Sequence, residues 1–225
     1  MEKIKSQALR WAVYVLGMIV LAAGITLNPK TTLGVPPIMS VPYAVCQIWG
    51  MNLGDATFLW YCVFVAVEVL VRCLKRKPGW QRQTALDLCQ IPLSIVFTRV
   101  INIFSAFIPE FETAYPESFL GSVFARVLFL LLAVILTGVG AALSLNMRIV
   151  PNPGEGIVQA IADLGGWKLG TVKNLFDLSC VLLALAITLI AAHQMIGIGA
   201  GTLVAVLGVG RVIALVNRIW FSKKV

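Results

Sequence analysis

The sequence predicts an all-α integral membrane protein. It crosses the bilayer about six times, as two inverted three-helix repeats that each carry a short broken or re-entrant helix. Three observations predict this: long apolar runs recur from Trp11 onward, basic clusters fall at the ends of those runs, and short motifs match between the two halves. Of the 225 residues, 59% are hydrophobic and 12% charged, against about 25% charged in an ordinary soluble chain. The mean hydropathy is +0.91. Almost every residue is committed to membrane segments and their loops. The organisation therefore reads as one membrane domain, with a first repeat over 1–110 and a second over 119–225.

The first segment, about 11–27, ends at Leu27-Asn28-Pro29, where proline removes a donor and restricts the residue before it. The stretch 36–49 is apolar but shorter than the ~20 residues a crossing helix needs, so it is either re-entrant or interfacial. The second crossing spans about 55–73, and a strongly basic loop, 72–84, follows it. The third spans about 87–108. The loop 109–119 holds Glu110, Glu112 and Glu117 and no basic residue. The fourth crossing spans about 120–145. A polar stretch, 146–170, contains Pro151-Asn152-Pro153-Gly154-Glu155-Gly156, and its helical part, 154–165, is again either re-entrant or interfacial. The fifth and sixth crossings span about 171–192 and 196–218.

The formal net charge of +8 would raise nucleic acid as a partner of a soluble chain. Here the charge is used by topology instead. Lys3, Lys5 and Arg10 precede the first crossing; Arg72, Lys75, Arg76, Lys77 and Arg82 follow the second; Arg218, Lys223 and Lys224 follow the sixth. Excess Lys and Arg mark the cytoplasmic side, so both termini and 72–84 read as cytoplasmic and the acidic loop as external. The expected location is the inner membrane of a cell, with the lipid bilayer as principal partner and no nucleic-acid surface. A second copy of the chain or another membrane protein is an open further partner.

The halves match in register. Thr26-Leu27-Asn28 matches Ser144-Leu145-Asn146, Gly50-Met51-Asn52-Leu53-Gly54 matches Gly166-Trp167-Lys168-Leu169-Gly170, and Arg99-Val100-Ile101 matches Arg211-Val212-Ile213. Each half has an odd number of crossings, so the second half enters from the opposite side and the repeat is inverted.

Broken segments at corresponding positions of such halves point to a substrate site. If both dip inward, their helix N-termini offer free N–H groups to an anion. The candidate substrate-binding residues follow from that geometry: Asn28, Asn146 and Asn152 at the breaks, Glu155 in the first turn of the second short helix, and Arg99 and Arg211 within apolar segments. An arginine at the bilayer centre costs about 2.5–3.5 kcal/mol on insertion scales, so Arg99 calls for a polar partner from the short stretches or from Asp177. Arg211 either shares that role or snorkels to the cytoplasmic face. Lys173 and Asp177 stand one helical turn apart. They form a local ion pair, or Asp177 pairs with an arginine across the bundle. Glu155 serves as a helix-end charge or takes part in proton or substrate coupling. Glu68 and Asp87, near the basic loop, read as solvated or loop-paired. Gly197 and Gly201 form a GxxxG pattern that suits close helix packing.

Catalytic parts are missing. There is no GxSxG, HExxH, P-loop or dinucleotide fingerprint, so the chain is expected not to be an enzyme and to need no cofactor or metal. Cys46, Cys62, Cys73, Cys89 and Cys180 show no CxxC pairing, and the lone His193 suits a loop. The N-terminal run has the look of a signal peptide. It is expected to be retained, because it has a counterpart in the second half.

Gly17, Asn28-Pro29, Leu33-Gly34-Val35-Pro36-Pro37, the Gly50-to-Gly54 turn, Pro151-Asn152-Pro153-Gly154-Glu155-Gly156 and Lys168-Leu169-Gly170 together resemble the YczE/YyaS/YitT group of small bacterial membrane proteins. The likeness runs through nearly the whole chain. It implies a multi-pass inner-membrane protein and carries over no catalytic residue. Inverted repeat, paired breaks and central arginine predict a small secondary transporter or permease for an unknown small solute, anionic or carboxylate-bearing. The rival is a non-transporting scaffold or regulatory subunit, for which a tightly packed, glycine-lined bundle suffices.

Overall fold

The computed structural model describes residues 6–75 and 79–221, with side chains through Trp220. Lys3, Lys5, Arg76, Lys77, Lys223 and Lys224 of the basic clusters lie outside the described residues. Those described form helices α1 (Gln7–Lys30), α2 (Pro37–Trp49), α3 (Leu53–Lys75), α4 (Trp80–Leu88), α5 (Gln90–Phe107), α6 (Phe111–Ala114), α7 (Val123–Met147), α8 (Pro153–Gly165), α9 (Leu169–Ala192) and α10 (Ala200–Val216). No strand occurs among them. Six stretches are long and apolar enough to cross a membrane: α1, α3, Trp80–Ala114, α7, α9 and Ala200–Trp220. Their outward side chains include Leu16, Leu131, Leu182 and Leu203, all exposed in the isolated chain. Such surface is covered by lipid, and the chain is a membrane protein.

Element boundaries follow the sequence with two differences. First, α1 runs on through Pro29 to Lys30. The ring lacks one N–H, but the turn still closes, because Thr31 and Thr32 donate backbone bonds to the Asn28 and Pro29 carbonyls at 3.1 and 3.0 Å. Second, the basic loop gives way to a helix: α4 begins at Trp80, after Gly79 at φ +83°.

The chain sorts into two compact units, and each draws on both halves of the sequence. Unit 1 comprises 1–36, 100–149 and 197–225. Within it α1 and α7 run antiparallel in close contact. Arg10 at the start of α1 donates to the Met147 carbonyl at 2.7 Å, while Gly24 near the other end faces Thr137. A Cβ on Gly17 would stand 3.0 Å from the Gly140 carbonyl, and one on Gly140 would stand 2.3 Å from the Leu21 nitrogen. Only glycine permits that approach. Helix α10 lies parallel to α7, with Gly208 against Val134, Gly138 against Val212, and Asn146 donating to Asn217 Oδ1 at 2.7 Å. The stretch before α2 docks by backbone on the start of α10: Val35 donates to the Gly197 carbonyl at 2.9 Å, and Gly201 donates to Leu33 at 2.8 Å. This corrects the GxxxG expectation. Gly197 sits in the loop before α10 at φ +74°, and Gly201 makes room for a carbonyl, not for another helix.

Unit 2 comprises 37–99 and 150–196. Here α2 packs on α9 and α3, α8 packs on α3 and α9, and α4 packs on α3. Helices α3 and α5 are antiparallel. Gln90 meets Glu68, Phe97 stacks on Tyr61 with ring centroids 6.2 Å apart, and Arg99 meets Asp55.

Candidate functional site

The polar residues of unit 2 gather around the first turn of α8. Asn152 caps that helix, its Oδ1 accepting from Gly154 N–H at 3.0 Å, and Pro153 opens it with the φ a helix needs. Glu155 follows in the first turn, where the helix dipole favours a carboxylate. A Cβ on Gly154 would stand 2.1 Å from Ile38 Cδ1, so the first turns of α8 and α2 meet directly. Tyr61, on α3, is buried beside Asn152 and Glu155. On α9, Lys173 Nζ binds Asp177 Oδ1 at 2.8 Å, and Lys173 lies within electrostatic reach of Glu155. One turn further, Ser40 of α2 donates to the Cys180 carbonyl at 3.0 Å.

Levels along the long helices follow from these contacts. The Lys75 ammonium binds the Leu164 carbonyl, and Gly156 lies against Glu68. Helix α8 therefore runs beside the last turns of α3, with its N-terminus level with interior residue Tyr61. Ser40 places the first turn of α2 level with Cys180, in the interior of α9.

The sequence candidates divide accordingly. Asn152, Glu155, Lys173 and Asp177 come together in unit 2. Asn28, Asn146 and Arg211 belong to unit 1. Asn28 is fully buried in the last turns of α1, and neither amide atom has a hydrogen-bond partner, an arrangement that costs about 1–3 kcal/mol per orphaned atom. Arg211 is exposed on α10. Arg99 departs from expectation: its partner is Asp55, and its side chain is 55% exposed. The antiparallel register explains this, because it sets Arg99 opposite the first turn of α3, away from Asp177. Asp177 takes Lys173, not an arginine.

Three features escaped the sequence. Glu68 and Asp87 are buried at 0% and 2% exposure, not solvated. Asp87 does pair with Arg72 of the basic loop, but α4 folds back on α3 and closes water out. Arg126, in the first turn of α7, is 8% exposed and bonds Thr32 Oγ1 and Glu112 Oε2, each at 2.5 Å. The signal for it was present, as a lone arginine one turn from an acidic loop. A cavity of about 270 Å3 opens among Val71, Arg72, Lys75, Trp80, Gln83 and Asp163. Ala160 and Leu164 of α8 also line it, whereas Arg99 and α2 do not.

The sequence model of a family of unknown function, DUF6198, matches residues 8–218. The chain is also similar to the "Uncharacterized membrane protein YczE" of Bacillus subtilis (strain 168), at 26% identity over 178 residues, 78% of this chain and 74% of that one. No solved structure matches.

Proposed function

We propose, from the premise that the chain belongs to the family DUF6198, that it is a small secondary transporter or permease of the bacterial inner membrane. Its solute is a small anion or carboxylate, and its scaffold is the inverted pair of repeats, 1–110 and 119–225. The observation that carries this reading is the meeting of the first turns of α2 and α8, beside Tyr61, Glu155, Lys173 and Asp177. With α3 and α9 as crossing helices, those turns lie at membrane depth and both short helices are re-entrant. Irregular backbone is tolerated there only inside protein or beside a polar path. Helix N-termini and a lysine suit a negative group.

The packing pattern supports the inversion. Exchanging the halves carries α1 to α7, α2 to α8 and α3 to α9. It maps the α2–α9 contact onto α8–α3 and the α2–α3 contact onto α8–α9. Corresponding helices of an inverted repeat run oppositely, as α1 and α7 do. The glycine contacts between α1 and α7 favour the second reading, a non-transporting scaffold, because tight packing is all that reading requires.

The test is uptake of small anions by purified protein in liposomes, with and without a proton gradient. Transport predicts flux that Asp177→Asn abolishes or reduces at least tenfold. A broad screen without flux, together with an Asp177→Asn protein that folds and fully complements a deletion strain, would transfer the assignment to the scaffold.

A further inference from the structure

We infer that Glu68 is a proton-binding site, held as the neutral acid by Gln90 and reached from the Lys75 end of α3 through Asp87. Its use in coupling rests on the transport reading; its existence does not. Glu68 is fully buried, and its Oε2 accepts from Gln90 Nε2 at 2.8 Å. Gln90 is 1% exposed. Two oxygens of this pair have no hydrogen-bond partner, Glu68 Oε1 and Gln90 Oε1. Both are acceptors, so an ionised Glu68 leaves each of them orphaned, at about 1–3 kcal/mol apiece. A proton on Glu68 Oε1 removes both deficits at once. It donates to Gln90 Oε1 and closes the two-bond ring of an acid–amide pair.

The surroundings supply no cation to hold the charged form. The charged groups that act on Glu68 are Asp87, from α4, and Arg72, from its own helix. Arg72 spends its guanidinium on Asp87 and on Gln83 Oε1, the latter at 2.8 Å. Helix α2 carries no charged residue. Helix α8 presents bare backbone: a Cβ on Gly156 would stand 2.7 Å from both carboxylate oxygens of Glu68. A buried carboxylate lacking a bonded cation costs several kcal/mol, which protonation avoids.

A route for the proton is built beside it. Asp87 adjoins Glu68 and binds Arg72, and Arg72 lines the cavity of about 270 Å3. On release, the O–H bond of Glu68 breaks, its electron pair stays on the carboxylate, and the proton passes to Asp87 and then to water in the cavity. Loading is the reverse. Because α8 lies on the carboxylate through Gly156, charging Glu68 bears directly on the short helix that carries Asn152 and Glu155.

The experiment is infrared spectroscopy of the full chain in lipid nanodiscs at neutral pH, reading the C=O stretch of protonated carboxyl groups. The wild type should show this band. Glu68→Gln should lose it, while Glu117→Gln, in the exposed loop, should keep it. Gln90→Leu should move it to higher frequency, because the acid loses its amide partner, and this variant decides the matter if Glu68→Gln does not fold. No band in the wild type, a band that survives Glu68→Gln, or a band unmoved in Gln90→Leu would overturn the inference. The reading is independent of flux. A band without uptake retires the transporter and leaves the proton site; uptake without a band does the opposite.

Discussion

Gly24 shows how a single residue sets the α1–α7 contact. A Cβ there would stand 2.5 Å from both the Thr137 nitrogen and its Oγ1, and backbone cannot rotate away as a side chain can. Gly24→Ala should therefore cost about 1–3 kcal/mol, the usual penalty of overpacking, read as a lowered thermal midpoint of the purified protein in detergent. Gly210→Ala is the contrast. Nothing lies within 4 Å of its Cβ position, so it should be neutral or gain about 0.5–1 kcal/mol from helix propensity. At this scale the sequence was least legible. It shows that Glu68, Asp87 and Arg99 are ionisable groups in apolar surroundings. Which of them is buried depends on helix register: the same antiparallel pairing of α3 with α5 that buries Glu68 under Gln90 leaves Arg99 beside Asp55.

Elements were far more legible, because a run of apolar residues near bilayer length has few other fates. Helices α3, α7 and α9 begin and end within a few residues of the runs that predict them. The interrupted stretches gave α2 and α8 at their expected places, with Pro153 opening α8 and the left-handed Gly166 closing it. Helix α4 was missed, since Trp80-Gln81-Arg82-Gln83 reads as polar loop and becomes helical by docking on α3. The acidic loop also gained order that composition hides. Its short α6 is pinned by the Thr32–Glu112–Arg126 bonds and by Phe111 stacked on Phe129 at 4.2 Å. Arg126→Ala removes the cation from that set. Amide hydrogen exchange across 109–119 should then quicken at least several-fold while α7 stays protected; unchanged exchange would mean that the aromatic stack alone holds the loop.

For the molecule as a whole, the central claim is the inversion of the halves, on which the opposed short helices and the transport reading both depend. It is tested most directly at the two turns that follow those helices, the matched positions Met51 and Trp167. In a variant lacking all five native cysteines, Met51→Cys and Trp167→Cys are labelled separately in intact cells with a membrane-impermeant thiol reagent, before and after permeabilisation. The inverted repeat predicts that Met51→Cys labels in intact cells and Trp167→Cys only after permeabilisation. Labelling of both positions from the same side would contradict it.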